Sequence, residues 1–373
     1  MNPIDTSTCP LLARLLLVVL TWLSGSLLAQ ETFSQETFNQ ETPAQENHAV
    51  ILLYHHIAHD TPAATSTTPE QFAAHMQYLA DNEFTVWRLD KLLQHLRNAE
   101  PVPDKTVAIT FDDGYLSIFD TAYPLLQALG FPFTVFINTQ PINASQTGYM
   151  SWAQVQQMTE NGVMIANHMV NHPHMIDAME GESASMHLQR MRAEMLQAEA
   201  EIAAQTGQSH RILAYPYGEY DPDIKQMLAA AGFIGIAQNS GAISANSDFL
   251  ALPRFPLAGI YADMAGMRTK SATLAFHVLD QQPESPLTDS RNPAVILQFA
   301  PGNFNPDQLA CYAGGATLEI EWLDRDGLKF RIQPQQQFNS RRWGYNCTAP
   351  ARNSNRFYWY SKFWTRSTPE NRD

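Results

Sequence analysis

The apolar positions along the chain follow two regimes. From His48 to about residue 258, short apolar runs alternate with stretches in which apolar residues recur every three or four positions. The runs Ala49–Tyr54, Val107–Phe111, Phe133–Ile137, Val163–Ala166, Ile212–Tyr215 and Ile234–Ala237 are too short for helices and read as buried strands, with Val86–Leu89 a shorter one. Between them the spacing predicts helices. One opens at Thr68-Pro69 and runs through Phe72, Met76 and Leu79. Others cover Leu89–Leu96, pass through Leu125 and Leu129 to a stop at Gly130, and run from Ser151 through Met158. A long one spans Ser185–Gln205 and ends at Gly207, and a last covers Ile224–Ala231. Strand-helix alternation of this kind implies an α/β fold, a mainly parallel sheet or barrel wrapped by helices. In such folds chemistry gathers at the C-terminal ends of the strands.

After about Lys270 the pattern changes. Proline, glycine and aromatic residues become frequent, and Thr317–Trp322 alternates as a strand would, with Phe357–Tyr360 another candidate. Residues 271–373 therefore read as a small β-sandwich-like module. Its aromatics Trp343 and Tyr358–Tyr360 fit a core better than a binding face.

The opposite end is different again. Arg14 precedes an apolar run, Leu15–Leu23, that passes into small and apolar residues up to Ala29. Residues 1–29 read as a secretory signal, too short and interrupted for a confident membrane span, with an uncleaved anchor as the alternative. Residues 30–47 carry three Gln-Glu-Thr units (QETFS, QETFN, QETPA) and read as a disordered linker. The expected location is secreted or periplasmic.

Composition narrows the partners. Of 373 residues, 45% are hydrophobic and 16% charged, a globular balance. The net charge of -14 argues against nucleic acid and anionic membrane surfaces and is neutral toward sugars. Cys9 lies in the segment to be removed. Cys311 and Cys347 form an even pair in an exported chain, which suggests a disulfide, with two buried thiols as the alternative. Oligomeric state has no signature in the chain.

Three segments carry candidate chemistry. In Thr110-Phe111-Asp112-Asp113-Gly114-Tyr115 two carboxylates sit at a strand end, costly unless a cation or proton separates their roles. In His168-Met169-Val170-Asn171-His172 two histidines four apart can share one metal from one side of a helical turn, with His174 a bystander. In Tyr215-Pro216-Tyr217-Gly218 an aromatic loop follows a strand, and its backbone N–H could hold a developing oxyanion. Taken singly, each has a plain reading as a turn or a surface pair.

Taken together and in this order, they resemble the polysaccharide deacetylases, also called NodB-homology proteins or carbohydrate esterase family four. The resemblance runs from about Val50 to Ala258 and includes Tyr54-His55-His56-Ile57, Trp152 with Gly162, and Leu252-Pro253-Arg254-Phe255. It implies a distorted (β/α) barrel over residues 48–270. It implies Asp113, His168 and His172 as ligands of a divalent metal, zinc first, with cobalt or nickel as alternatives. Asp112 is then the general base, and the Tyr217 N–H an oxyanion donor. The general acid is His55 or His277. The chain resembles most the subgroup acting on poly-β-1,6-N-acetylglucosamine, where this histidine lies on the N-terminal strand, which favours His55. His56 would alternate to the other face. The family's arginine before the third motif is replaced by Ala214, so Arg254 either takes its place or makes a surface ion pair. Trp152 and Tyr149 either stack on sugar rings or belong to the core. The expected activity is removal of N-acetyl groups from an N-acetylglucosamine-containing extracellular or cell-wall polysaccharide. The alternative is a catalytically silent carbohydrate-binding or matrix protein on the same fold.

Overall fold

Apolar runs without polar alternation can be buried only where both faces of a sheet are covered. The computed structural model, which describes residues 47–366, uses them in that way. The expected signal segment, Cys9 and most of the expected linker lie outside the described residues. The first half of the described chain runs β1 (His48–Tyr54), β2 (His56–Ile57), β3 (Ser66–Thr67), α1 (Pro69–Asp81), β4 (Thr85–Val86), α2 (Leu89–Arg97) and β5 (Thr106–Phe111). It continues α3 (Tyr123–Leu129), β6 (Phe133–Ile137), α4 (Thr139–Asn143), α5 (Trp152–Glu160), β7 (Met164–Asn167) and α6 (Ala184–Thr206). It ends β8 (Ile212–Ala214), α7 (Pro222–Ala230), β9 (Ile234–Ile236), β10 (Ile243–Ser244), β11 (Phe255–Pro256) and α8 (Met264–Ser271).

Helix starts and stops follow the local chemistry. Thr68 and Ser151 each form a reciprocal capping box, with Gln71 and Gln154, at the starts of α1 and α5. Gly130 and Gly207 close α3 and α6 in the left-handed conformation that their lack of a Cβ permits.

The strands assemble in the order β10-β1-β5-β6-β7-β8-β9, with β11 on β1 and β4 on β5. Every pairing from β1 through β9 along this order is parallel, and only β10 is antiparallel. The sheet curls. Leu252 bridges to Ile236 at the β9 edge, and three residues later Phe255 pairs with Leu52 of β1. The segment 252–256 thus joins β9 at one end of the sheet to β1 near the other, giving the distorted barrel. Strand periodicity splits β1 between two cores. Val50, Leu52 and Tyr54 pack under α1, α3 and α5, whereas Ala49 and Ile51 join residues of β5 to β10 and the leucines of α2.

The rest of the described chain is β12 (Leu274–Ala275), β13 (Val278–Gln282), β14 (Val295–Phe299), β15 (Ala310–Ala313), β16 (Ala316–Leu318), β17 (Glu321–Asp324), β18 (Lys329–Ile332), β19 (Arg342–Pro350) and β20 (Phe357–Thr365). Two sheets form, β12-β20-β19-β15-β16 and β13-β14-β18-β17. Between them lies a core that includes Phe299, Phe330, Trp343, Tyr345 and Trp364. The expected single strand Thr317–Trp322 is in fact two. Its first part ends β16 and its second begins β17 in the other sheet, so Glu319-Ile320 carries the chain across the sandwich. Cys311 and Cys347 face each other across β15 and β19 and are joined as a disulfide.

The sandwich is stitched to the barrel. The Ala275 N–H donates to His48 Nδ1 at 3.1 Å, and Arg356 donates to Asp104 and to the Ala272 carbonyl, each at 2.6 Å. Among the described residues no helix is long and apolar enough to cross a membrane.

Candidate active site

The site begins where β5 stops. The Asp112 N–H still pairs with the Tyr54 carbonyl at 3.0 Å, so Asp112 is held in register with β1. Asp113 and Gly114 then both turn left-handed, at φ 73° and 76°. A Cβ on Gly114 would meet Ile137 Cγ2 at 3.0 Å, so the tight turn suits glycine on two counts. This reversal separates the two carboxylates: Asp112 points toward Arg254, and Asp113 toward the histidines.

β7 supplies those histidines. His168 lies just past its end, with its N–H on the Ile137 carbonyl at 3.0 Å. The helical turn expected for His168–His172 does not form. Met169 (φ 68°) and His172 (φ 53°) are left-handed, and the Asn167 side chain accepts the Met169 N–H at 2.9 Å, so a folded loop brings the two rings together. His168 Nε2 lies 3.3 Å and His172 Nε2 3.4 Å from Asp113 Oδ1. One ligand atom from each of the three residues lies within 4.8 Å of the others.

The proton on His168 is fixed by its neighbour. Nδ1 donates to the Ala214 carbonyl at 2.7 Å, which leaves Nε2 with a lone pair. Nε2 is buried and, among the described residues, has no hydrogen-bond partner. A lone pair buried beside a carboxylate is costly, and a cation at the shared point relieves both. Two imidazoles and a carboxylate suit zinc and similar divalent ions, and three protein donors leave coordination positions open. The charges agree. Burial pushes the Asp113 carboxyl up, but His168, His55 and His172 outweigh it and hold it far below the usual carboxylate range. Burial and the neighbouring His168 push His172 down to about 4, so it stays neutral and able to ligate.

Arg254 makes no surface ion pair. It is fully buried, as is Asp112. Its Nη1 and Nη2 donate to Asp112 Oδ1 and Oδ2, both at 2.7 Å, and its Nε to the Ala237 carbonyl at 2.9 Å. The curl of the sheet explains the reach, because Arg254 sits between Leu252, bridged to β9, and Phe255, paired to β1. Burial raises the Asp112 carboxyl, and the guanidinium, with His168 and His55, more than reverses this, so it stays ionised.

His55 follows the end of β1, close enough that its charge acts on Asp112, Asp113 and His172. β1 stops at Tyr54, so alternation does not carry His56 away as expected. His56 stacks on Tyr115 at 3.5 Å and also feels the charge of Asp113. Tyr115 lies against Asp113 and 5.0 Å from Tyr149, so Tyr149 borders the site. Trp152 is drawn aside, its Nε1 donating to Asn143 at 2.8 Å while its ring packs on the core. His277 is exposed between β12 and β13, beside His48 and Ala300, and the structure places it with none of the site residues.

Residues 99–236 match the sequence profile of the family described as polysaccharide deacetylase. The chain carries a polysaccharide deacetylase domain. The poly-beta-1,6-N-acetyl-D-glucosamine N-deacetylase of Staphylococcus epidermidis is 24% identical over 232 residues, covering 56% of this chain and 79% of its own. Among solved structures, the Streptococcus pyogenes deacetylase PplD in complex with acetate superposes with a TM-score of 0.55 at 23% identity, over 61% of this chain and 99% of its own. IcaB from Ammonifex degensii gives 0.53 at 20% identity, again over 61% and 99%. At these identities the structural likeness speaks for the fold. The profile match leaves out His55 and Arg254, which the deacetylase domain nevertheless gathers at the same end of its sheet.

The third motif of the deacetylase domain is a turn, Pro216–Gly218, with Tyr217 left-handed at φ 58°. The Tyr217 ring meets His172 edge-on at 4.4 Å and stacks on His174 at 3.9 Å. His174 is therefore no bystander. Its Nδ1 is 2.9 Å from Glu219 Oε2, and Glu219, fully buried, accepts Arg341 Nε at 2.8 Å and Nη2 at 2.9 Å. Arg342 Nη1 donates to the Tyr217 carbonyl at 2.7 Å. Sequence reading missed Tyr115, Glu219, Arg341 and Arg342. Only Tyr115 carried a signal, its place directly after Asp112-Asp113-Gly114.

Proposed function

We propose that the chain is an exported, metal-dependent N-deacetylase that hydrolyses the acetamides of an N-acetylglucosamine-containing polysaccharide. The observation that carries this reading is the buried His168 Nε2, without a hydrogen-bond partner among the described residues, facing Asp113 and His172 beside an Asp112 clamped by Arg254. Asp113, His168 and His172 would hold the ion. A divalent cation there supplies Lewis acidity toward the acetyl carbonyl and acidity to the attacking water.

The protein's own groups supply the rest. Asp112 is the general base, and Arg254 keeps it ionised and aimed while each carboxylate oxygen retains a lone pair to accept a proton. The Tyr217 N–H stabilises the oxyanion as the carbonyl becomes tetrahedral. His55 gives a proton to the departing amine, which would otherwise leave as an unstable anion. Tyr149 offers an aromatic edge for a sugar face at the rim. The polymeric substrate is supported by the Staphylococcus epidermidis relative, and export by the apolar run at residues 15–29.

The test is acetate release from N-acetylglucosamine oligomers by protein stripped with a chelator and reloaded with zinc, cobalt or nickel. Release that disappears on stripping and returns on reloading is the expected result. Stoichiometric metal with no release from any oligomer rejects the enzyme in favour of a silent carbohydrate-binding scaffold.

A further inference from the structure

We propose that Arg342 and Arg341, both from the C-terminal sandwich, are positioning residues for the catalytic loop, so that the sandwich completes the active site. This rests on the deacetylase reading above.

Tyr217 and Gly218 are left-handed in succession, at φ 58° and 70°. The first is unfavourable for a residue with a side chain and persists only where the surroundings hold it. Gly218 is tight, since a Cβ there would lie 2.8 Å from Gln238 Cβ. The grip on Tyr217 comes from far along the chain. Arg342 Nη1 holds its carbonyl at 2.7 Å, and the same guanidinium lies 5.4 Å from the centre of its ring. With the ring also packed between His172 and His174, the backbone torsions that aim the Tyr217 N–H are fixed from both sides.

A second arm secures the ring. His174, stacked beneath it at an interplanar angle of 7°, is tied to Glu219, and Glu219 to Arg341 by two hydrogen bonds. Arg341 also donates to Asp177 at 2.9 Å, on the loop that follows the metal-binding histidines. Arg341 is 3% exposed. A guanidinium is buried so deeply only where its partners offset the loss of water. Here those partners are the carboxylates that frame the two loops of the site.

The test uses the full, metal-loaded protein. Arg342→Leu is expected to lower kcat roughly 10- to 100-fold, as expected for a misaimed oxyanion donor, with KM changed less than about twofold. Metal content and thermal midpoint should hold, and Arg342→Lys, which can still reach a carbonyl, should recover part of the rate. The same fold-loss is expected on a small activated aryl acetate as on a long N-acetylglucosamine oligomer. Arg331→Leu, whose side chain is partly exposed on β18 and paired with Glu321, serves as the control. Hydrogen–deuterium exchange is expected to quicken at residues 215–219 in Arg342→Leu while β5 and β7 stay protected. Unchanged exchange in that loop, an unchanged kcat, or a loss confined to long oligomers overturns the inference. Faster exchange in a protein whose unaltered form releases no acetate overturns the deacetylase reading instead. Arg341→Lys risks the fold, so Arg342 carries the decision.

Discussion

Replacing Arg254 with methionine keeps volume and removes the charge. It strands Asp112, which is fully buried and loses both of its 2.7 Å bonds at once. Breaking one side of a buried pair costs about 3–5 kcal/mol, because the remaining charge has no water to fall back on. In a chain of 373 residues each kcal/mol moves the thermal midpoint by about 2 °C, so a fall of roughly 6–10 °C is expected. The companion Asp112→Leu leaves the guanidinium with the Ala237 carbonyl and Thr110 and should also be costly. The double variant removes both charges and should be less destabilised than the sum of the singles by about 2 kcal/mol or more. The pH dependence has a definite sign. Asp112 has a lowered pKa in the folded protein, so the stability it contributes is present above the ordinary carboxylate range and is lost as pH falls through its folded value. The deficit of Arg254→Met should therefore be largest at neutral pH and shrink toward pH 3. Circular dichroism melts of the four proteins across that range are the assay. A single-variant cost below about 1 kcal/mol, or strict additivity, would refute the claim that this pair is both buried and coupled.

Asp113→Ala should abolish stoichiometric metal binding, whereas Asp112→Asn should keep the metal and lose turnover; elemental analysis beside acetate release separates the two. Cys311→Ala/Cys347→Ala removes a link spanning 36 residues, and loop entropy limits the loss to about 4 kcal/mol, read as a lower thermal midpoint that matches the reduced parent. Lys362 is 4% exposed, and burial pushes its ammonium down to about 7. The penalty of keeping it charged is complete below that value and vanishes as pH rises toward 10.5, so the parent should gain stability over this range relative to Lys362→Met. Parallel pH profiles for the two proteins would refute this.

The barrel was legible because its strands are buried on both faces and its helices carry ordinary caps. Thr68 and Ser151 sit where side-chain chemistry says a helix should begin, and they begin helices. The triad was legible through residue type and order, but its local geometry was not. A spacing of four suits a helical turn equally well, and nothing in Met169 or His172 announces a left-handed backbone. Alternation misled at His56, because the strand breaks one residue earlier than the pattern does. It misled again at Thr317–Trp322, where a period of two reads the same whichever sheet it lies in. The arginines before and at the start of β19 touch the site only through contacts across more than a hundred residues of chain, and no local pattern encodes such pairings.

β1 lies inside the sheet. One edge pairs with β5, but the other is taken by Ile243–Ser244 and Phe255–Pro256, far later in the sequence. During synthesis the strand leading to His55 therefore waits, one apolar edge bare, until residue 256 has emerged. A nascent or truncated chain ending before that point offers the kind of open strand edge to which other chains add, so aggregation competes with completion of the barrel.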